Sequence, residues 1–192
     1  WYKQLIFDNT AFGAGNGFRG TYRSDHAVLE HKLFAEDGFV KALKDKAWVQ
    51  LGSSGGGNHF VEFGTISFAK DDAQLNIPKG DYLALLTHSG SRGLGAMIAN
   101  HYTQLAKNIC KLSYEAKHLA YLDLDSEAGQ AYLLAMNLAG DYASACHEII
   151  HTKIAKALGT LPLAKVENHH NFAWKEWYNG EEVIVHRKGA TP

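Results

Sequence analysis

Three short stretches of this chain carry side chains that can do chemistry. Gly55 to Phe63 reads GGGNHFVEF, His88 to Gly93 reads HSGSRG, and Glu167 to Asn171 reads ENHHN. In the first, three successive glycines let the backbone approach a ligand closely, while Asn58, His59 and Glu62 supply an amide, an imidazole and a carboxylate. On a strand, Asn58, Phe60 and Glu62 share one face and His59 and Val61 the other, unless a bulge beside the glycines shifts them. The competing reading is a flexible hairpin with a structural histidine. In the second, a metal-capable His88 precedes serine hydroxyls, glycine amides and the Arg92 fork at a helix start, a combination suited to holding a phosphate. It lacks the Gly-Lys-Ser/Thr ending of a Walker loop. Its competing reading is a serine-capped helix with Arg92 solvated or ion-paired. In the third, adjacent strand histidines point to opposite faces, so only one of His169 and His170 joins a given site. Asn171 beside them can orient a ligand, or the stretch is simply a polar strand end.

Patterning predicts the elements that position these groups. Trp1 to Phe7 alternates as a strand, and Gly13 to Gly20 reads as a loop. A helix is expected from a Ser24 cap through SDHAVLEHKLFAEDG, with a second short helix over Gly38 to Trp48. Trp48 to Leu51 and Phe60 to Phe68 read as strands flanking SSGGGN, and the strand Tyr82 to Thr87 leads into His88. Helices follow over Leu94 to Lys111 and from a Ser126 cap to a Gly159 stop. Ala164 to Phe172 and Glu182 to Val185 are expected strands around an Asn179-Gly180 turn. With no internal repeat or linker, residues 1–192 read as a single domain. The start on Trp1 and the end just after an apolar strand pattern suggest the central part of a larger catalytic domain.

Composition narrows the class. An apolar fraction of 46% with 20% charged residues describes a globular chain rather than a disordered one. No apolar run reaches membrane-span length and the first residues lack a signal-peptide pattern, so a cytoplasmic location is expected. A net charge of -1 gives no general pull toward nucleic acid, so a polyanion would need a local basic patch such as His186-Arg187-Lys188. Cys110 and Cys146 fit reduced, buried thiols better than a disulfide or zinc framework. The 11 histidines raise the expectation of a metal site. His118, His147 and His151 lie on helical patterns and read as surface or packing residues, since the zincin glutamate is missing. The acidic run Asp123, Asp125, Glu127 reads as a solvated helix start.

Taken together, four segments in order resemble the RtcB family of RNA ligases: GGGNHFVE, LTHSGSRGLG, HHNFAWKE and VHRKGAT. The resemblance covers Leu51 to Thr191 and implies a complex α+β fold, with a β-sheet core carrying the metal histidines and flanking helices. It implies joining of an RNA 3′-phosphate (or 2′,3′-cyclic phosphate) to a 5′-hydroxyl, through GTP-dependent guanylylation with two manganese ions. The RNA would be tRNA halves or damaged RNA. By position, His59, His88 and His170 would be metal ligands, Asn58, Glu62 and Asn171 would contact the guanine nucleotide or its phosphates, and Arg92 would bind the RNA-end phosphate. His169 is not carried over.

The sequence also departs from that pattern. The family's Asp-x-x-Cys segment and the histidine that accepts the guanylate, in a His-Gly-x-Gly-Arg motif, are not in these 192 residues. Cys146-His147 stands where the family commonly has Asn-Arg. The chain alone is therefore expected not to complete ligation. Two other readings stay open: a catalytically silent nucleotide- or RNA-binding domain, and a metal-dependent phosphoesterase.

Overall fold

Ser126 accepts the Gly129 amide through its hydroxyl at 3.1 Å, and from that cap the chain runs as one long helix, α6 (Glu127–Leu158), until Gly159 turns it off at φ 71°. We describe it from a computed structural model covering residues 1–192. The chain divides into two compact units, Trp1–Leu161 and Pro162–Pro192. It is an α+β mixture, as the sequence implies.

In the first unit, α6 is the surface on which the other elements collect. Its buried Leu138, Tyr142, Cys146 and Ile149 form one core with Leu94, Ile98 and Tyr102 of α5 (Arg92–Cys110) and with residues 28–51. That last region contains the short helices α2 (Leu33–Glu36), α3 (Gly38–Lys41) and α4 (Lys44–Gln50). Where the sequence predicts one Ser24-capped helix and a second one, the chain is broken into short turns. His26 and Asp37 act as caps by accepting the Val28 and Val40 amides. Trp48 to Leu51 is not a strand: Leu43, Ala47, Gln50 and Leu51 are buried at helical spacing, and Tyr142 pins α4 by donating to the Ala47 carbonyl at 2.7 Å.

A second cluster joins Ile150 and Ile154 of α6 to Ile6 and Val61. Ile6 belongs to α1 (Tyr2–Asn9), so the first residues form a helix, not the expected strand. Local bonds one turn apart, Gln4 to Asp8 and Asn9 to the Leu5 carbonyl, support it, and burying Ile6 against α6 decides the matter. Val61 lies on β1 (Phe60–Phe68), which pairs antiparallel with β2 (Gly80–His88). In that register Phe60 faces His88 and Glu62 faces Leu86. The predicted strand Phe60 to Phe68 and the helices before Lys111 and Gly159 stand as read.

In the second unit β3 (Asn171–Tyr178) pairs antiparallel with β4 (Glu181–Lys188). Asn179 and Gly180, at φ 51° and 85°, make the expected two-residue turn with both centres left-handed. Ala164 to His170 is not strand: the β3–β4 ladder begins at Asn171 opposite Lys188, and next to it the Gly189 amide donates to the His170 carbonyl at 2.5 Å. No helix of the chain is long and apolar enough to cross a membrane.

Candidate active site

The turn Gly52 to Asn58 sits directly on α6. Gly52, at φ 76°, lies so close to Ile149 that an added Cβ would fall 2.5 Å from its Cγ2, which leaves room only for glycine. Beneath the turn the Cys146 thiol rests against the Gly52 and Ser53 backbone, and burial pushes it up to about 11. A thiol so held is poorly nucleophilic. Cys110 differs from the expectation of a buried thiol: it is half-buried, on the last turn of α5. In the native chain an aromatic disulfide reagent near pH 8 is therefore expected to titrate one thiol, Cys110, and in urea both. Equal reactivity of the two without denaturant would contradict this packing.

His59 leaves that turn just before β1 and His88 ends β2, which brings the two imidazoles to a centroid separation of 5.8 Å. Phe60 stacks on His88, at 5.5 Å and 13°, and fixes its ring plane. The His59 ring is held below its ordinary pKa, first by burial, then by the Arg92 charge and by His88. It is therefore a neutral nitrogen donor at physiological pH. The Ser54 backbone lies near enough to favour the charged ring slightly, yet no acceptor meets buried Nδ1 in hydrogen-bond geometry. An orphaned, neutral imidazole nitrogen beside a second imidazole fits half of a nitrogen-ligated metal site. Within residues 1–161 no group of three or more histidine, cysteine, aspartate or glutamate side chains completes it. Asn58 and Glu62 are exposed, and the register places Glu62 on the same face as Phe60 and His88. The predicted site residues His59, His88, Asn58 and Glu62 thus gather at one end of the β1–β2 hairpin.

Arg92 opens α5 with φ 53°, a left-handed conformation that costs a non-glycine residue about 1–2 kcal/mol. The surroundings over-determine it. Its Nε donates to Ser53 Oγ at 3.0 Å and its Nη2 to the Gly13 carbonyl at 2.9 Å, while Ser53 Oγ donates in turn to the Gln50 carbonyl at 2.5 Å. An added Cβ on Gly55 would lie 2.1 Å from Arg92 Nη1 and 2.3 Å from His59 Nδ1, so Gly55 is what lets the two site side chains meet over the turn. Burial holds the guanidinium below its usual pKa without discharging it. The serine cap read from the sequence does not form at Ser91. Instead Gln50 Oε1 accepts the Gly93 amide at 2.9 Å from inside the fold. That helix-start donor is occupied, which leaves the guanidinium as the cationic group of the corner.

Two residues read as packing belong to this region. His151 Nε2 meets Thr87 Oγ1 at 3.0 Å, next to His88, and His147 is close enough to His59 to oppose its protonation. Their four-residue spacing placed them on one face of α6, but nothing in the sequence says which element that face meets.

In the second unit, His170 and Asn171 stand at the start of β3, and Asn171 Oδ1 lies 3.3 Å from His186 Nε2. The His169 ring instead approaches Phe172, centroid to centroid 5.2 Å. Arg187 is not a free phosphate contact, because both its terminal nitrogens donate to the Glu176 carboxylate across the hairpin. That fork holds the Glu176 carboxyl below its usual range.

Comparison with known proteins agrees with the motif reading. A family model described as tRNA-splicing ligase RtcB matches residues 10–192. The tRNA-splicing ligase RtcB of Methanococcus maripaludis is 33% identical over 166 residues, covering 77% of this chain and 35% of the relative. That of Methanocaldococcus jannaschii is 32% identical over 192 residues, covering 88% and 20%. The RNA-splicing ligase RtcB of Mycobacterium tuberculosis is 31% identical over 199 residues, covering 91% and 46%. The chain thus spans less than half the length of each of these relatives. With the family match running almost end to end and through all four motifs, this chain belongs to the RtcB family.

Proposed function

We propose that this chain supplies the metal-histidine and phosphate-binding centre of an RNA ligase that joins a 3′-phosphate or 2′,3′-cyclic phosphate end to a 5′-hydroxyl end, using GTP and manganese. The observation that carries the reading is the meeting of His59, His88 and Arg92 at one corner, in a member of a family named for RNA ligation.

In this reading His59 and His88 would hold manganese, which when bound neutralises phosphate charge, and the family pattern alone names His170 as a further ligand. Neutral imidazoles suit a divalent ion, and the uncommitted Nδ1 of His59 supports the assignment. Arg92 binds the RNA-end phosphate. Ser53 and Gly13 orient its guanidinium, so little side-chain entropy remains to be lost when the phosphate arrives. Asn58, Glu62 and Asn171 offer the amide and carboxylate groups that a guanine nucleotide can hydrogen-bond, Asn171 being oriented by His186. The guanylate-accepting histidine is not among these residues, so the chain alone does not complete the reaction.

The test supplies RNA halves with 3′-phosphate and 5′-hydroxyl ends, GTP and manganese to the protein carrying these residues together with the flanking segments of its family. Joined RNA is expected, and none from the 192-residue chain alone. Release of terminal phosphate without joining would replace this reading with a phosphoesterase. RNA binding without either reaction would leave a silent binding domain.

A further inference from the structure

The loop that supplies the Gly13 carbonyl to Arg92 continues away from the site as a strip of aromatic and basic residues. Its near end is fastened at the turn: the Gly13 amide donates to the Gly55 carbonyl at 2.6 Å, and Gln50 Nε2 donates to the Ala14 carbonyl at 3.2 Å. Further along, the Phe18 amide donates to the Val49 carbonyl at 2.7 Å, and Gly17 lies so near that carbonyl that an added Cβ would sit 2.1 Å from its oxygen. The loop is therefore bound down along α4.

Of its segment FRGTYR, Phe18 to Arg23, residues Arg19 to Tyr22 are exposed while Phe18 and Arg23 are half-buried. Lys153 of α6 stands 4.2 Å over the Phe18 ring, and the Arg23 guanidinium stands 4.2 Å over Trp48. Arg19 is exposed and the Tyr22 ring is 77% exposed. Arg23 is also paired with Asp45 at 3.1 Å, so the strip's exposed cation is Arg19, with the half-buried Lys153 held over Phe18 but in no carboxylate pair. Beyond Tyr22, Arg23 is paired with Asp45 and Asp25 is exposed, so a polyanion is favoured between Gly13 and Tyr22 over the stretch past it. Aromatic faces alternating with cations are the means by which single-stranded nucleic acid is held without regard to sequence. A chain with net charge -1 needs such a local patch.

We infer that Phe18 to Tyr22, with Lys153, is a docking track for the single-stranded RNA that leads to the end bound at Arg92, with Tyr22 stacking on a base and Arg19 and Lys153 meeting phosphates. The inference rests on the proposed function for the direction of the strand, and the experiment separates the two. Anisotropy titrations of the 192-residue chain would use an unstructured dodecamer RNA ending in a 3′-phosphate, the same dodecamer ending in a 3′-hydroxyl, and a 3′-phosphorylated dinucleotide as competitor. Tyr22→Ala is expected to weaken the dodecamer roughly tenfold, with Tyr22→Phe restoring it. Arg19→Ala should lower the salt slope of dodecamer binding by about 0.7. The dinucleotide should compete equally well against all variants. A wild-type chain that does not bind the dodecamer, or variants that bind it as tightly as wild type, would overturn the track. Loss of the 3′-phosphate preference with Tyr22 dependence intact would overturn only the reading of the Arg92 corner.

Discussion

Arg92→Lys weakens binding of RNA ending in a 3′-phosphate roughly 10- to 100-fold while leaving binding of the 3′-hydroxyl form nearly unchanged. The substitution keeps the charge, so a purely electrostatic role would survive it. What lysine cannot reproduce is the fork. Arg92 spends Nε on Ser53 and Nη2 on Gly13 and keeps Nη1, above Gly55, out of those two bonds, whereas one ammonium cannot hold both partners and face a phosphate in a fixed direction. A second pair of variants separates binding from stability. Because Arg92 sits at φ 53°, Arg92→Gly should be more stable than Arg92→Ala by about 1–2 kcal/mol, with neither recovering the phosphate preference. Urea denaturation gives the first quantity and anisotropy the second. Equal stability of Arg92→Gly and Arg92→Ala would show that the backbone strain is not present.

Gly55→Ala is the other change expected to have a large effect, although it adds a single methyl group. At φ 120° an alanine is strained whatever surrounds it, and the new carbon would also collide with Arg92 Nη1 and His59 Nδ1. Arg92 cannot yield cheaply, because moving it breaks its bonds to Ser53 and Gly13. The expected result is a loss of about 2–4 kcal/mol of stability together with loss of 3′-phosphate preference. Gly57→Ala is the internal control: its φ is 72° but an added Cβ meets nothing within 4 Å, so only the backbone cost of about 1 kcal/mol should appear. Gly55→Ala and Gly57→Ala behaving alike would show that the meeting of Arg92 and His59 over Gly55 is not what the glycine serves.

The helices α5 and α6 and the hairpin β1–β2 were legible in the sequence because each is long and carries its own punctuation. Ser126 and Gly159 bracket α6, and glycine turns precede β1. Trp1 to Phe7 and Trp48 to Leu51 were misread as strands for a common reason. Both are short apolar runs whose state is set by what they pack on, Ile150 and Ile154 in one case and Tyr142 in the other. The motifs single out His59, His88 and Arg92 as candidate site residues, but not how Arg92 is held. Its partners Ser53, Gly13 and Gln50 come from a turn, a loop and a short helix whose juxtaposition exists only in three dimensions. The Gln50 cap on Gly93 replaces the serine cap for the same reason: a glutamine from 43 positions away has no local signature. His147 and His151 show the limit most plainly, since helical spacing fixes which residues share a face but not which neighbour the face receives.

The proposed role of the Arg92 corner is to bind the phosphorylated end of an RNA strand. The most direct measurement is the affinity of the 192-residue chain for one RNA sequence prepared with a 3′-phosphate and with a 3′-hydroxyl, at fixed salt, for wild type and Arg92→Ala. The account predicts that the phosphorylated end binds about tenfold or more tightly to wild type and that Arg92→Ala brings the two affinities together. Equal affinity of wild type for both ends would contradict it.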